Sequence, residues 1–380
     1  MNKVENILKI KGYDKFKCIA DKCKFTCCKG WDINVDTNTY NKWREKDNLN
    51  YLLDNVRFIK SHRENTYLIK KETKAKCPLL NNEGLCNIVI DHGDEYLSLT
   101  CKNFPRIENN FDYVKELTLS CSCPEVVNII SNMKEKVYID SNDSLSYIED
   151  LGCLKIRESL VNIFQKEDIS IENKLILSYD MLFNMLESDD LDYENLIEFL
   201  DNYKSKKYIK EELNKYKDYV NKDTIESLKE INSLFIDIIE NYRNVPIFKE
   251  ALKDIYKFAE EINIEKLFKN WKDFNNLFKE YDNLIENCIL SKVLSNCVSD
   301  DLEEMIILFE MIILEYLLIR HAVFLKYCIK KQISIQDAKD YIVIFSRIIG
   351  NNSEAVIEFL LDMFESEIVE VDYICSLTLI

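Results

Sequence analysis

The sequence predicts a mainly α-helical protein in which a small cysteine-rich domain, residues 1–125, precedes an all-helical domain, residues 126–380. Nine of the fourteen cysteines lie between Cys18 and Cys123. Beyond residue 125 the apolar residues recur at helical spacing. The chain has only six glycines and four prolines in 380 residues, which favours long helices and few tight turns.

The N-terminal domain is expected to consist of short strands and loops. Residues 31–36 alternate between apolar and polar side chains, as a strand does. Residues 77–86 contain Asn-Asn-Glu-Gly between two short apolar pieces, which is typical of a turn joining extended segments. Bound metal would organise such a loop-rich region.

The second domain shows a sustained helical pattern. Asp223 and Glu226 are spaced as a capping pair ahead of the apolar positions between Leu228 and Ile239. Further helices are predicted over residues 247–262, 264–280, 303–330, 335–349 and 353–366, and Gly350 lies where a helix end favours glycine.

The charge is unevenly distributed along the chain. Residues 1–125 carry 21 Lys and Arg against 18 Asp and Glu, whereas residues 126–380 carry 29 against 49. The acidic second domain would repel a phosphate backbone, so nucleic acid is not an expected partner. A lysine-bearing protein surface would be attracted to it.

The sequence does not predict a membrane protein. Its most apolar stretch, residues 305–325, is interrupted by Glu310, Glu315, Arg320 and His321, which favours a buried helix over a membrane span. His321 is expected to be a satisfied core residue.

The first residues do not resemble a signal-peptide core, so a cytoplasmic location is expected. Thiols stay reduced there, and the cysteines indicate metal before disulfides.

The cysteines of the first domain fall into three groups: Cys18, Cys23, Cys27 and Cys28; Cys77, Cys86 and Cys101; Cys121 and Cys123. Thiolates are soft ligands that suit both zinc and iron–sulfur clusters. Zinc sites usually show paired Cys-x2-Cys knuckles, which do not occur here, and nine thiols exceed one four-ligand site. An iron–sulfur cluster is therefore favoured, with zinc instead of it or beside it as the alternative.

The five later cysteines lie among Leu, Ile and Val, where core packing is their expected role: Cys153, Cys288, Cys297, Cys328 and Cys375.

Sequence motifs of common enzyme classes do not occur in this chain. The chain has no Gly-x-Gly for a dinucleotide or a glycine-rich adenosylmethionine loop, and no Gly-Lys-Ser/Thr phosphate loop. Any chemistry is therefore expected to rest on the metal site.

Four stretches carry a recognisable pattern. They are Thr-Cys-Cys-Lys-Gly-Trp-Asp-Ile at 26–33, Cys-Pro-Leu-Leu through Gly-Leu-Cys at 77–86, Gly-Asp-Glu-Tyr-Leu-Ser-Leu-Thr-Cys at 93–101 and Leu-Ser-Cys-Ser-Cys-Pro-Glu at 119–125. With them the chain resembles the flagellin lysine N-methylase family, within a broader group of zinc- or iron-chelating cysteine proteins. Fainter similarity continues at residues 284–287 and 345–349.

The resemblance implies a methyltransferase that uses S-adenosylmethionine, a four-iron [4Fe–4S] cluster, and flagellin lysines as methyl acceptors. Adenosylmethionine bound to an open iron would fit the missing glycine-rich loop. The family has one cysteine before Pro-Glu, which matches Cys123, so Cys121 is expected to be an extra thiol. The expected metal ligands are Cys18, Cys23, Cys27, Cys28, Cys77, Cys86, Cys101 and Cys123.

A second hypothesis is not enzymatic. The same cysteines would hold structural zinc in a binding module or adaptor for a filament protein, and the helical domain would be the docking surface.

Overall fold

Short strands occupy the first third of the chain and α-helices the remainder in the computed structural model. It describes residues 6–29, 33–60, 66–70, 77–111, 114–140, 152–188, 193–220, 222–240, 242–350, 353–364, 366 and 368–380. The predicted fold class is confirmed: a small region with strands and many cysteines leads into an all-helical region.

The larger sheet has the strand order β5-β6-β1-β7. Strand β1 (Asn6–Ile10) pairs in parallel with β6 (Val114–Leu119) and antiparallel with the two-residue β7 (Ile139–Asp140), while β5 (Arg106–Asn110) pairs antiparallel with β6. Leu8 and Ile10 alternate on β1 and are buried, as a half-buried strand requires.

A second sheet, β2-β4-β3, belongs to a separate small unit, residues 33–103, which we call the small lobe. It is antiparallel and consists of β2 (Asn34–Val35), β3 (Val56–Ile59) and β4 (Thr66–Ile69). The lobe also holds α1 (Thr37–Arg44), α2 (Asn87–His92), α3 (Leu99–Asn103) and a 3-10 helix, Asp47–Asn55. Strand β2 falls within the predicted strand 31–36, of which residues 31 and 32 lie outside the described residues.

The predicted turn within residues 77–86 is confirmed. Leu80 and Cys86 form an antiparallel bridge, and the Asn81 side chain accepts hydrogen bonds from the backbone N–H groups of Glu83 and Leu85. Gly84 has φ of 82°, which favours glycine. The turn therefore brings the segments before and after it, with Cys77 and Cys86, close together.

The five helical segments predicted from residue 247 onward agree with observed helices to within two residues at each end. Thirteen α-helices follow the small lobe in the described part of the chain. They are α4 (Pro124–Ser131), α5 (Gly152–Phe164), α6 (Ile171–Glu187), α7 (Tyr193–Asn202), α8 (Lys206–Lys215), α9 (Thr224–Glu240), α10 (Pro246–Glu261), α11 (Ile264–Phe278), α12 (Asp282–Asn296), α13 (Leu302–Lys330), α14 (Ile335–Ile348), α15 (Ser353–Phe364) and α16 (Val371–Thr378). Asp301 caps α13, and Ser334 with Asp337 forms a capping box on α14.

Helix α13 is the centre of the helical core and is buried along most of its length. His321 on this helix is 1% exposed, and its Nε2 lies 2.9 Å from Asn232 Oδ1. It is a core residue as expected, but only one ring nitrogen is satisfied, because its Nδ1 is buried without a hydrogen-bond partner among the described residues. Burial lowers the pKa of His321 to about 3. Among the described helices none is both long and apolar enough to cross a membrane.

The larger sheet and the helices share one hydrophobic core, so we call β1, β5–β7 and α4–α16 together the main body. Ser291 on α12 donates to the Leu119 carbonyl (3.1 Å), and Ser295 donates to Thr118 Oγ1 (2.9 Å). Arg157 forms a buried ion pair with Glu116 of β6. These contacts hold the end of β6, and the cysteines that follow it, against α12.

Candidate metal centre

A cavity of about 630 Å³ lies where the three cysteine groups meet. Most of its wall is apolar, including Phe16, Ile33 and Leu97. Seven of the eight cysteines expected as metal ligands line it: Cys18, Cys23, Cys27, Cys28, Cys86, Cys101 and Cys123. Its volume is within the range of ligand pockets, roughly 300–1,000 Å³.

The first cysteine group lies on an irregular segment that is anchored by Phe25, which is almost fully buried. The Cys28 N–H donates to Thr26 Oγ1 (3.3 Å), and the Cys27 and Cys28 thiols are close enough to hydrogen-bond. Adjacent cysteines on a regular backbone would point apart, but on this irregular segment both line the same cavity.

The second group is carried by the small lobe. Cys86 is the residue before α2, and Cys101 lies in α3, where its N–H is capped by the Ser98 hydroxyl (3.3 Å). Cys77 does not line the cavity; it is buried in the small-lobe core, and its N–H donates to the Cys28 carbonyl (2.9 Å). Its place as a ligand remains a prediction.

The third group divides between two environments. Cys123 precedes the first residue of α4 and lines the large cavity. Cys121 lines instead a small cavity of about 70 Å³ with Lys292 and Glu315, and its thiol hydrogen-bonds with that of Cys288. The loop between Leu119 and Pro124 therefore directs one thiol toward each cavity.

Four of the cavity thiols have pKa values raised by their surroundings, which favours their protonated form. Burial raises the pKa of Cys123 to about 11 and also raises the pKa values of Cys23 and Cys86. A hydrogen bond with Cys28, together with burial, raises the pKa of Cys27. Such thiols become thiolates when a cation replaces the proton, so this donor set is suited to binding a metal with release of protons.

Within the described ranges, no three His, Cys, Asp or Glu side chains converge as closely as a single metal ion would need. A tetrahedral zinc site with Zn–S bonds of 2.3 Å requires sulfurs about 3.8 Å apart. What the structure brings together is seven thiols around one cavity. By their chemistry these sulfur donors fit a thiolate-bound metal, either zinc or an iron–sulfur cluster.

Two functional candidates were not identified from the sequence. Glu125 lies in the first turn of α4 and is the only carboxylate among the described residues that line the large cavity. Arg347 on α14 is 1% exposed and reaches both the first and third cysteine groups. Its Nη1 donates to the Thr26 carbonyl (3.1 Å), its Nε donates to the Ser122 carbonyl (2.9 Å), and its Nη2 donates to the Phe25 carbonyl.

Comparisons with known proteins identify a matching family model and several similar proteins. The family model of the FliB lysine N-methylase C-terminal domain matches residues 157–377. The flagellar biosynthetic protein FliU of Salmonella muenchen is 30% identical over 135 residues, which are 34% of this chain and 80% of that protein. No solved structure matches the chain.

Two proteins named lysine-N-methylase are also similar. That of Salmonella typhimurium is 28% identical over 155 residues, or 40% of this chain and 39% of that protein. That of Salmonella choleraesuis is 28% identical over 154 residues, or 39% and 38%. The matched part therefore spans less than half the length of each of these two relatives.

Proposed function

Because the chain belongs to the FliB lysine N-methylase family, we propose that it is a protein lysine N-methyltransferase. It transfers a methyl group from S-adenosylmethionine to the ε-amines of flagellin lysines. The observation that carries this proposal beyond family membership is the cavity. It combines seven thiols with a largely apolar wall, one described carboxylate, Glu125, and two cations, Lys102 and Arg106. That combination suits a metal group, a cofactor and the ammonium group of a substrate.

The cavity cysteines are proposed to hold an iron–sulfur cluster of the [4Fe–4S] type. Thiolates from both lobes would be the ligands: Cys28, Cys86 and Cys101 pack against the small-lobe core, whereas Cys123 belongs to the core of the main body. When bound, the cluster supplies an iron that can bind the amino and carboxylate groups of adenosylmethionine. The apolar residues of the cavity wall would exclude water from a cofactor bound there.

Glu125 is proposed to bind the lysine that is methylated. Among the described lining residues, which also include the cations Lys102 and Arg106, its carboxylate is the one group that would attract the ε-ammonium and accept the proton that the nitrogen must lose before it takes a methyl group. Its position two residues after Cys123, in the first turn of α4, keeps this carboxylate beside the thiols. The substrate nitrogen and the cofactor are thereby held in one cavity, which is what proximity catalysis requires.

The protein substrate is proposed to approach across a mixed apolar and acidic surface. Val89 and Ile90 line the cavity and are 42% and 56% exposed, so they form an apolar rim. Residues 126–380 carry 29 Lys and Arg against 49 Asp and Glu. This charge steers a lysine-bearing protein toward the molecule and makes its association salt-dependent.

The proposal is tested with protein reconstituted anaerobically with iron and sulfide. Isotopically labelled adenosylmethionine and flagellin are added, and methyl-lysine is measured by mass spectrometry. The wild type is expected to methylate flagellin. Glu125→Gln is expected to raise the KM for flagellin roughly tenfold, or about 1.4 kcal/mol, with unchanged adenosylmethionine affinity. The matched control is Glu83→Gln, at an exposed carboxylate near the tip of the 77–86 turn.

A metal-replete protein that neither binds adenosylmethionine nor methylates flagellin would contradict the proposal. Colourless protein that contains zinc, lacks cofactor affinity and binds flagellin would support the filament-protein binding module instead.

A further inference from the structure

The buried guanidinium of Arg347 connects two cysteine groups with the helical region. It donates hydrogen bonds to the carbonyls of Phe25, Thr26 and Ser122, and the Ser122 hydroxyl donates in turn to the Ser346 carbonyl (3.1 Å). The end of α14 therefore binds the segment before Cys27 and the residue before Cys123 at the same time.

This geometry suits arginine and no other side chain. The guanidinium is planar and carries five N–H donors in a fixed fork, whereas a lysine ammonium is a point charge on a flexible stem. One rigid group can therefore help to set the distance between two loops that lie far apart in the sequence. Both loops carry cysteines that line the large cavity.

Charge gives a second reason for an arginine at this place. A guanidinium is charged in proteins, and taking a charge out of water is unfavourable unless negative charge lies nearby. Burial disfavours the charged form of Arg347 and lowers its pKa, whereas thiolates at four cysteines of the candidate metal centre would favour the charged form: Cys27, Cys23, Cys123 and Cys28. A thiolate-ligated cluster would be anionic, so the arginine and the cluster would stabilise each other.

We infer that Arg347 is a positioning residue for the metal centre: it fixes the Phe25–Thr26 and Ser122 backbones relative to each other and balances the charge of the thiolate ligands. The charge-balancing part rests on the proposed function. The reduction potential of an iron–sulfur cluster depends on net charge and on hydrogen bonding around it. Removal of the positive charge is therefore expected to make the reduced cluster less stable and its potential more negative.

The test uses Arg347→Gln, which removes the charge, and Arg347→Lys, which keeps the charge and loses the fork. The matched control is Arg320→Gln. Arg320 is also buried and also donates to backbone carbonyls, those of Thr378 and Ile380, but it lies on α13. Iron and sulfide content and the midpoint potential of the cluster are measured anaerobically for each full-length protein. Amide hydrogen exchange of the metal-free proteins is measured over residues 23–28 and 121–123.

Arg347→Gln is expected to give a more negative midpoint potential, and Arg347→Lys to restore most of the wild-type value with lower cluster occupancy. Both are expected to exchange faster than wild type at both loops, whereas Arg320→Gln should change neither the potential nor the loop exchange. A wild-type potential in Arg347→Gln, or an equal shift in Arg320→Gln, would overturn the charge-balancing role. Unchanged exchange at either loop would overturn the positioning role.

The metal-free exchange measurement separates this inference from the proposed function. If the wild type takes up no iron–sulfur cluster, the proposed function fails and the charge-balancing role fails with it, but loop exchange still decides whether Arg347 positions the two cysteine loops.

Discussion

The small lobe and the main body differ in how much hydrophobic core each can form. Among the described residues, the small-lobe core contains eleven buried side chains, with Trp43 and Leu52 at its centre. The core of the main body extends from β1 to α16, and every residue from Leu284 to Ser295 of α12 is buried. A unit of fewer than about 80 residues with one modest core is usually marginal without a metal or disulfide.

The position of the cysteines matches this difference. Cys77 is part of the small-lobe core, and Cys28, Cys86 and Cys101 pack against it. The cavity thiols on the other side belong to segments that pack on the main body, including Cys123. We propose that the main body is stable by burial alone, whereas the small lobe depends on a metal bound between the small lobe and the main body.

The largest expected effect comes from removing one cavity thiol. Cys101→Ser replaces a soft thiolate donor on α3 with a hydroxyl, so most of the bound metal should be lost and the small lobe should become sensitive to protease. Cys328→Ser is the matched control, because Cys328 is buried in α13. It should retain full metal and cost about 1–3 kcal/mol of stability. The metal content and the protease sensitivity of the two variants are compared. Equal metal content in both would show that Cys101 is not a metal ligand.

Leu→Ala substitutions in the two cores test whether the small lobe and the main body unfold separately. Leu52 and Leu318 are both fully buried, one in each core. Each Leu→Ala change should cost about 2–5 kcal/mol. Leu318→Ala should lower the midpoint of global unfolding. This midpoint is measured by circular dichroism, because the circular dichroism signal comes mainly from the helices. Leu52→Ala should leave that midpoint nearly unchanged and weaken metal retention. A shared drop in the helical midpoint would mean that the two regions unfold as one unit.

A smaller effect is expected from the pH dependence of the main body. The pKa of His321 falls from 6.5 to about 3 on folding, because the buried ring cannot be charged. Below pH 6.5 the unfolded chain binds a proton that the folded chain does not, so the stability that His321 contributes at neutral pH is lost as the pH falls toward 3. Between pH 7.5 and 5.5 this loss is about 1.4 kcal/mol.

His321→Gln removes this titration and keeps a side chain able to bond with Asn232. Urea unfolding at both pH values should show a smaller decrease in stability for the variant than for the wild type. An identical decrease in both proteins would show that His321 is not buried in its neutral form.

Sequence reasoning succeeded where the signal is local. The helix predicted over residues 303–330 is observed at Leu302–Lys330, because its apolar run begins after a capping aspartate, Asp301, and continues without glycine or proline. The turn at 77–86 was likewise recognisable from Asn81 and Gly84. Residue type and number alone predicted that several cysteines would lie together, and seven of the eight expected ligands line one cavity; their role as metal ligands stays a prediction.

What could not be predicted depends on contacts between distant parts of the chain. The parallel pairing of β1 with β6 joins Leu8 to Glu116, and no local period specifies such a register. Spacing alone also did not reveal that Cys121 and Cys123 line different cavities. Arg347 lies in a stretch of recognised similarity, but its contacts with Phe25 and Ser122 arise only from tertiary packing.

The dependence of the small lobe on metal is tested most directly by amide hydrogen exchange of the full chain, loaded with metal and then stripped of it under anaerobic conditions. Stripping should accelerate exchange at least about tenfold over residues 33–59 and 77–103, and leave α12 and α13 protected as before. Equal protection of the small lobe in both forms, or equal loosening of the lobe and the two helices, would contradict the account.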